Sequence, residues 1–116
     1  MRIRFELLDT GVAEALWTPE AAWDGYPGIV HGGLVGAVLD EAMSKAVTAG
    51  GARVMTAELR VRYRLPVQSG VPLTVRGWVV KDGKRLIEAE ASLEAPGGVE
   101  CAHGWGRFLP PRTLPG

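Results

Sequence analysis

Cysteine is almost missing from this sequence of 116 residues, which contains only Cys101. One cysteine cannot form an intramolecular disulfide or a metal site built from a cysteine cluster, and such sparse use suits a reducing compartment. The sequence also lacks a run of about 20 apolar residues, the length that a membrane helix needs. In its first residues, MRIRFELLDTG, the apolar run is too short for a signal peptide and is interrupted by Arg4 and Glu6. We therefore expect a soluble, cytoplasmic protein with no membrane partner.

Net charge is missing as well, because 13 Lys and Arg residues balance 13 Asp and Glu residues. Without an overall positive field, nucleic acid is not an expected partner. An anionic ligand would have to be bound by a local cluster of basic residues. The length suits one hydrophobic core, so we expect residues 1–116 to form a single domain.

One segment has the periodicity of an amphipathic helix. Apolar residues recur at helical spacing from Leu34 to Ala49, and Gly50-Gly51 is expected to end the helix. On a helical wheel Asp40 lies at the edge of the buried side, whereas Glu41 lies near the middle of the solvated side. The wheel therefore favours Asp40 over Glu41 as an acid with a chemical role.

The rest of the chain has the patterns of strands and turns. Residues 2–8 and 12–17 predict a hairpin that turns at Thr10-Gly11, and residues 18–28 predict a loop. After the helix, alternation with a period of two predicts strands over 52–65, 73–80, 86–93 and 99–108, followed by an irregular tail. This order predicts an α+β fold with one helix packed on an antiparallel sheet of five to six strands.

A single helix covers only one face of such a sheet. The alternation assigns several apolar residues to the other face, which are Trp78, Val80, Val99, Cys101 and Trp105. It assigns Thr56, Arg60 and Arg62 to the polar face of their strand, opposite an apolar face that includes Leu59 and Tyr63. An apolar outer face predicts a homo-oligomer, most simply a two-fold dimer.

Chemistry is suggested by His31-Gly32-Gly33 at the start of the helix. Glycines allow a ligand to approach the backbone closely, and the first amides of a helix point outward with partial positive charge. A carbonyl oxygen, or the oxyanion that it becomes, fits such a site. The more ordinary reading is a capping histidine followed by a turn, and spacing alone favours that reading over a functional one.

His31 and Asp40 are too far apart to act together in one chain. Nine residues at about 1.5 Å each separate them by roughly 13 Å along the helix, whereas proton transfer needs a separation of about 3 Å. In a two-fold dimer with antiparallel helices, His31 of one chain can approach Asp40 of the other. If the two residues share a reaction, the site lies between subunits.

Two segments, GIVHGGLVGAVLDEAM and VMTAELRVRYRLPV, strongly resemble the hotdog-fold acyl-CoA thioesterases of the PaaI-like group. The resemblance extends over nearly the whole chain. It implies a long central helix wrapped by an antiparallel sheet, dimers or dimers of dimers, and hydrolysis of acyl-CoA. It implies no metal and no cofactor, because CoA is part of the substrate.

The resemblance also implies roles for particular residues. Gly32 would donate its N–H to the thioester oxygen, His31 would support this oxyanion site, Asp40 would be nucleophile or general base, and Thr56 would place the water. The expected substrate contacts are Gly33, Trp23, Tyr26, Glu41, Arg60 and Arg62, the arginines toward the CoA phosphates. Several relatives have Asn or Gln where this chain has Gly25, which leaves a binding role without catalysis open, and hotdog hydratases also place a histidine and a carboxylate across a dimer. Two alternatives therefore stay open. They are a non-catalytic acyl-CoA binding protein and an enoyl-CoA hydratase or dehydratase.

Overall fold

The computed structural model describes residues 3–49 and 54–110 as a six-stranded sheet with one long helix on it. In chain order the elements are β1 (Glu6–Leu7), β2 (Ala13–Trp17), β3 (Asp24–Tyr26), β4 (Ile29–Val30), α1 (Gly32–Val47), β5 (Met55–Tyr63), β6 (Leu73–Asp82), β7 (Ile87–Ala95) and β8 (Val99–Leu109). The sheet order is β1-β2-β6-β7-β8-β5, with every neighbouring pair antiparallel. Strands β3 and β4 form a separate small hairpin. Together with a 3-10 helix over Ala21–Trp23, strand β3 lies within residues 18–28, so the prediction of a loop there is wrong for these residues.

This architecture confirms the predicted α+β fold of one helix wrapped by an antiparallel sheet. The first hairpin is also present, and Gly11 supplies the positive φ of 86° at its turn. Its first strand contains only Glu6 and Leu7, which is shorter than predicted. The predictions for Gly50-Gly51, for the strand start at 52–53 and for the tail beyond residue 110 lie outside the described residues.

Helix α1 begins at Gly32, two residues earlier than its apolar pattern predicts, and it ends at Val47 rather than Ala49. The early start follows from capping, because the His31 ring accepts a hydrogen bond from the N–H of Gly33. Two glycines carry no apolar signal, so periodicity cannot detect them as the first turn.

The buried face of α1 follows the wheel. Val35, Leu39 and Met43 are almost completely buried, and they pack in the core that the sheet encloses. Asp40 is half-buried and Glu41 is exposed, where it lies 3.8 Å from Lys45. The predicted difference between the two acids is therefore confirmed.

Small residues let the helix backbone approach the sheet closely. A Cβ added at Gly77 on β6 would collide with the main chain of Ala42 on α1. At Gly104 on β8, an added Cβ would meet side chains instead, lying 3.3 Å from the Leu39 Cβ and from the Met43 Cε. Gly77 thus sets the distance of α1 from the sheet, and with it the position of Asp40.

Two β-bulges move residues to the opposite face from the one that strict alternation predicts. In β5 the register shifts between Thr56 and Glu58, so Thr56 lies opposite the buried Phe108 and faces the helix side. A second shift, between Leu93 and Glu94, makes Cys101 the extra residue of β8, and Cys101 is buried in the core. The predicted faces of Thr56 and Cys101 are therefore wrong.

Candidate active site

The start of α1 presents backbone amides beside an imidazole ring. The His31 main-chain N–H donates to the Trp23 carbonyl at 2.9 Å, and the His31 Nδ1 accepts from the Gly33 N–H, also at 2.9 Å. The N–H of Gly32 has no hydrogen-bond partner among the described residues. Gly32 therefore offers an exposed donor at the positive end of the helix, next to a glycine that leaves room for a ligand.

Tyr63, the last residue of β5, reaches this first turn. Its hydroxyl donates a hydrogen bond of 2.7 Å to the Gly32 carbonyl. A Cβ added at Gly32 would lie 3.7 Å from the Tyr63 ring, and one at Gly36 would lie 3.4 Å from its hydroxyl. The alternating pattern correctly places Tyr63 on the apolar face with Leu59, but no short sequence signal pairs it with a residue 31 positions away.

Asp40 is held by Thr56 within the same chain. The Thr56 Oγ1 donates a hydrogen bond of 2.8 Å to the Asp40 Oδ1, and both side chains are half-buried. The bulge in β5 makes this contact possible because it turns Thr56 toward the helix. Asp40 Oδ2 has no protein partner among the described residues, so one carboxylate oxygen is available for chemistry.

The structure thus produces two separate half-sites. The first contains His31, Gly32 and Gly33 at the start of α1, and the second contains Asp40 and Thr56 at the middle of the helix. No hydrogen bond joins the two groups in the described part of the chain. This arrangement agrees with the roughly 13 Å that helix geometry places between His31 and Asp40.

An open apolar pocket of about 360 Å³ adjoins the first half-site. Its lining includes Gly32, Val30, Val35, Tyr63 and Leu65. The two aromatic residues predicted to line an acyl pocket are not part of its lining. Trp23 ends a short 3-10 helix and is 42% exposed, and Tyr26 ends β3 and is 76% exposed.

The two predicted phosphate contacts lie on the other face of the sheet. Arg60 is opposite Trp105 in the register and stacks over its ring at 4.9 Å, and Arg62 is opposite His103. The His103 ring nitrogens lie 2.8 Å from Glu90 and 2.9 Å from Glu100. The structure therefore does not bring Arg60 or Arg62 to either half-site within one chain.

Burial raises the pKa of the Cys101 thiol, which keeps this side chain in its neutral, unreactive form.

Over residues 3–49 and 54–110, no three His, Cys, Asp or Glu side chains are grouped as a metal site would require. The same residues include no helix with the length and apolar character needed to cross a membrane.

A family model and two protein relatives match this sequence. The model of the thioesterase superfamily matches residues 27–102, which is more than half of the chain. A Saccharolobus solfataricus protein, provisionally named as esterase SSO1253, is 32% identical over 92% of this chain and 72% of its own length. The human acyl-coenzyme A thioesterase THEM5 is 34% identical over 66% of this chain, which corresponds to only 32% of the human protein.

Two solved structures share the fold and part of the sequence. A thioesterase superfamily protein, RHA08564, superposes with a TM-score of 0.87 at 31% identity over 92% of this chain, which spans 55% of that protein. A phenylacetic acid degradation-related protein of Ralstonia eutropha JMP134 has a TM-score of 0.82 at 25% identity, with 92% and 83% of the two chains covered. From the family match, the identities and the fold together, the chain belongs to the thioesterase superfamily.

Proposed function

We propose that this chain hydrolyses an acyl-CoA thioester to a free acid and CoA. The observation that carries the proposal is the exposed N–H of Gly32, which lies at the start of α1 beside the capped Gly33 amide and the apolar pocket. A thioester oxygen bound there would receive a hydrogen bond and the field of the helix as negative charge develops on it. The family supplies the reaction class, and the human relative named as an acyl-coenzyme A thioesterase suggests the substrate class.

Asp40 is the proposed catalytic carboxylate of this reaction. Its Oδ1 accepts from Thr56, which fixes the carboxylate, and its Oδ2 has no protein partner among the described residues. Asp40 either attacks the thioester carbon, forming an anhydride that water then opens, or removes a proton from the attacking water. In both routes the carbon–sulfur bond breaks and the CoA sulfur leaves with the electron pair and takes up a proton. No cofactor is required, because CoA is part of the substrate.

The proposed site is shared by two subunits. Residues on the helix side of the edge strand β5 remain exposed in the single chain, among them Leu59 at 40% and Tyr63 at 53%. An exposed apolar edge favours association with a second copy. A two-fold dimer that covers this edge with antiparallel helices would bring the partner's Asp40 toward His31 and Gly32.

Thiol release from a panel of acyl-CoAs tests the proposal. The wild-type protein should release CoA from short, medium, long-chain or aromatic esters. Asp40→Asn keeps the size of the side chain and an oxygen for Thr56, and should lower kcat by about 10²–10⁴-fold, the range for loss of a general base. Asp9→Ala removes an exposed turn carboxylate and is the control. Wild-type turnover in Asp40→Asn would rule out Asp40 as the nucleophile or general base.

The same panel separates the two alternatives that the sequence leaves open. Tight binding of CoA esters with no turnover on any of them would replace hydrolysis with a binding function. Addition of water to an enoyl-CoA that is lost in His31→Ala would indicate a hydratase, in which the histidine acts as the base.

A further inference from the structure

We infer that Tyr63 is a positioning residue for the oxyanion site, holding the Gly32–Gly33 peptide so that the neighbouring Gly32 N–H points at the substrate oxygen. This inference rests on the proposed function, because it assigns the donor of that same site. It depends on four described residues: Tyr63, His31 and the two glycines.

Two side chains from different parts of the chain form hydrogen bonds to opposite sides of the Gly32–Gly33 peptide group, and we call this pair of bonds the peptide clamp. The Tyr63 hydroxyl, from β5, donates to the Gly32 carbonyl at 2.7 Å. The His31 ring accepts from the Gly33 N–H at 2.9 Å. Since the C=O and the N–H belong to the same planar unit, these two bonds fix both its position and its rotation.

The peptide clamp is needed because both residues of this peptide group are glycines. Consecutive glycines have the widest choice of backbone dihedrals, so the first turn of α1 would otherwise sample several orientations of its amides. An oxyanion donor is effective only when it is already aimed at the developing charge. The Tyr63 bond therefore limits the rotation about Gly32 that would turn its N–H away.

The fit of Tyr63 against the helix supports a specific contact. Gly32 and Gly36 are one helical turn apart, and the tyrosine side chain packs beside both, so that a Cβ added at either would be in ordinary van der Waals contact with it, at 3.7 Å and 3.4 Å. Tyr63 nevertheless remains 53% exposed, and it lines the apolar pocket beside Gly32. A residue that served only the core would be buried more completely.

The test compares two variants that each delete one hydroxyl bonded to a carbonyl of the same helix. Tyr63→Phe keeps the ring and loses the bond to Gly32. Thr48→Val loses the 2.8 Å bond from Thr48 to the Ser44 carbonyl at the other end of α1. Both variants should lower the melting temperature by similar amounts. Only Tyr63→Phe should lower kcat, by about tenfold with KM within twofold, because a displaced donor weakens transition-state binding.

Amide hydrogen exchange at Gly33, followed by NMR, provides a readout that does not need turnover. Tyr63→Phe should accelerate this exchange severalfold, and Thr48→Val should leave it unchanged. Equal kcat values in the two variants, with an active wild type, would overturn the inference and leave the proposed function standing. If the wild type hydrolyses no acyl-CoA, the proposed function fails. Unaltered exchange of the Gly33 amide in Tyr63→Phe would show in addition that Tyr63 does not hold this peptide group.

Discussion

Replacing Gly32 by proline should remove the proposed oxyanion donor and leave the helix in place. Proline has no N–H, and it is well accommodated as the first residue of a helix, which is the position of Gly32 in α1. The residue before a proline must be extended, and His31 already has φ of −56° and ψ of 132°. The Cβ of the new residue has room, since the nearest Tyr63 atoms would be 3.7 Å away.

The magnitude follows from what is lost. Removing one preorganised oxyanion donor lowers kcat by about 10²–10³-fold, or roughly 2.7–4 kcal/mol. Gly32→Ala is the matched comparison, because its Cβ occupies the same space and its N–H remains. We therefore expect kcat of Gly32→Ala to exceed that of Gly32→Pro by about 10²-fold or more.

The assay is steady-state thiol release, with circular dichroism and thermal melting on the same samples. KM should change less than kcat, because the lost bond is strongest in the transition state. If Gly32→Pro retains its melting temperature and its kcat equals that of Gly32→Ala, the Gly32 N–H does not stabilise the reaction. The oxyanion site would then have to be sought elsewhere.

Three further predictions concern packing, reactivity and the carboxylate support. Gly77→Ala should lower the free energy of unfolding by about 1–3 kcal/mol, because its Cβ would meet the main chain of α1. Gly104→Ala should lower it less, because its Cβ would meet side chains that can adjust. Urea titrations at fixed protein concentration measure both losses, and equal losses would contradict this reasoning. The Cys101 thiol, with its pKa raised by burial, should react with a thiol reagent far more slowly in native than in unfolded protein, and equal rates would refute its burial. Thr56→Val should lower kcat by about tenfold through the freed carboxylate, and unchanged kcat would show that the hydroxyl is dispensable.

The sequence predicts those features whose causes are local. Helical spacing identifies α1 and distinguishes Asp40 from Glu41, because both follow from the angle between successive side chains. The hairpin turn at Gly11 can be predicted because its conformation requires positive φ. The distance between His31 and Asp40 follows from helix rise alone.

Features that depend on tertiary contacts could not be predicted in the same way. A bulge adds one residue without changing the apolar pattern around it, so alternation assigns Thr56 to the wrong face and hides its bond to Asp40. Helix α1 begins with two glycines, and only the capping ring of His31 shows that the helix starts there. The bond from Tyr63 joins residues that are distant in the chain.

Subunit complementation is the most direct test of a site shared between chains. In the proposed dimer, Asp40→Asn and Gly32→Pro should each inactivate a different half-site, so each homodimer should be inactive. A mixed dimer would contain one site with both intact halves and one with neither. Equal amounts of the two variants are unfolded and refolded together, so that half of the dimers formed should be mixed. Because one of the two sites in each mixed dimer is active, activity should recover to about a quarter of the wild-type value. Recovery of no activity, with mixed dimers confirmed by mass spectrometry, would contradict the shared site.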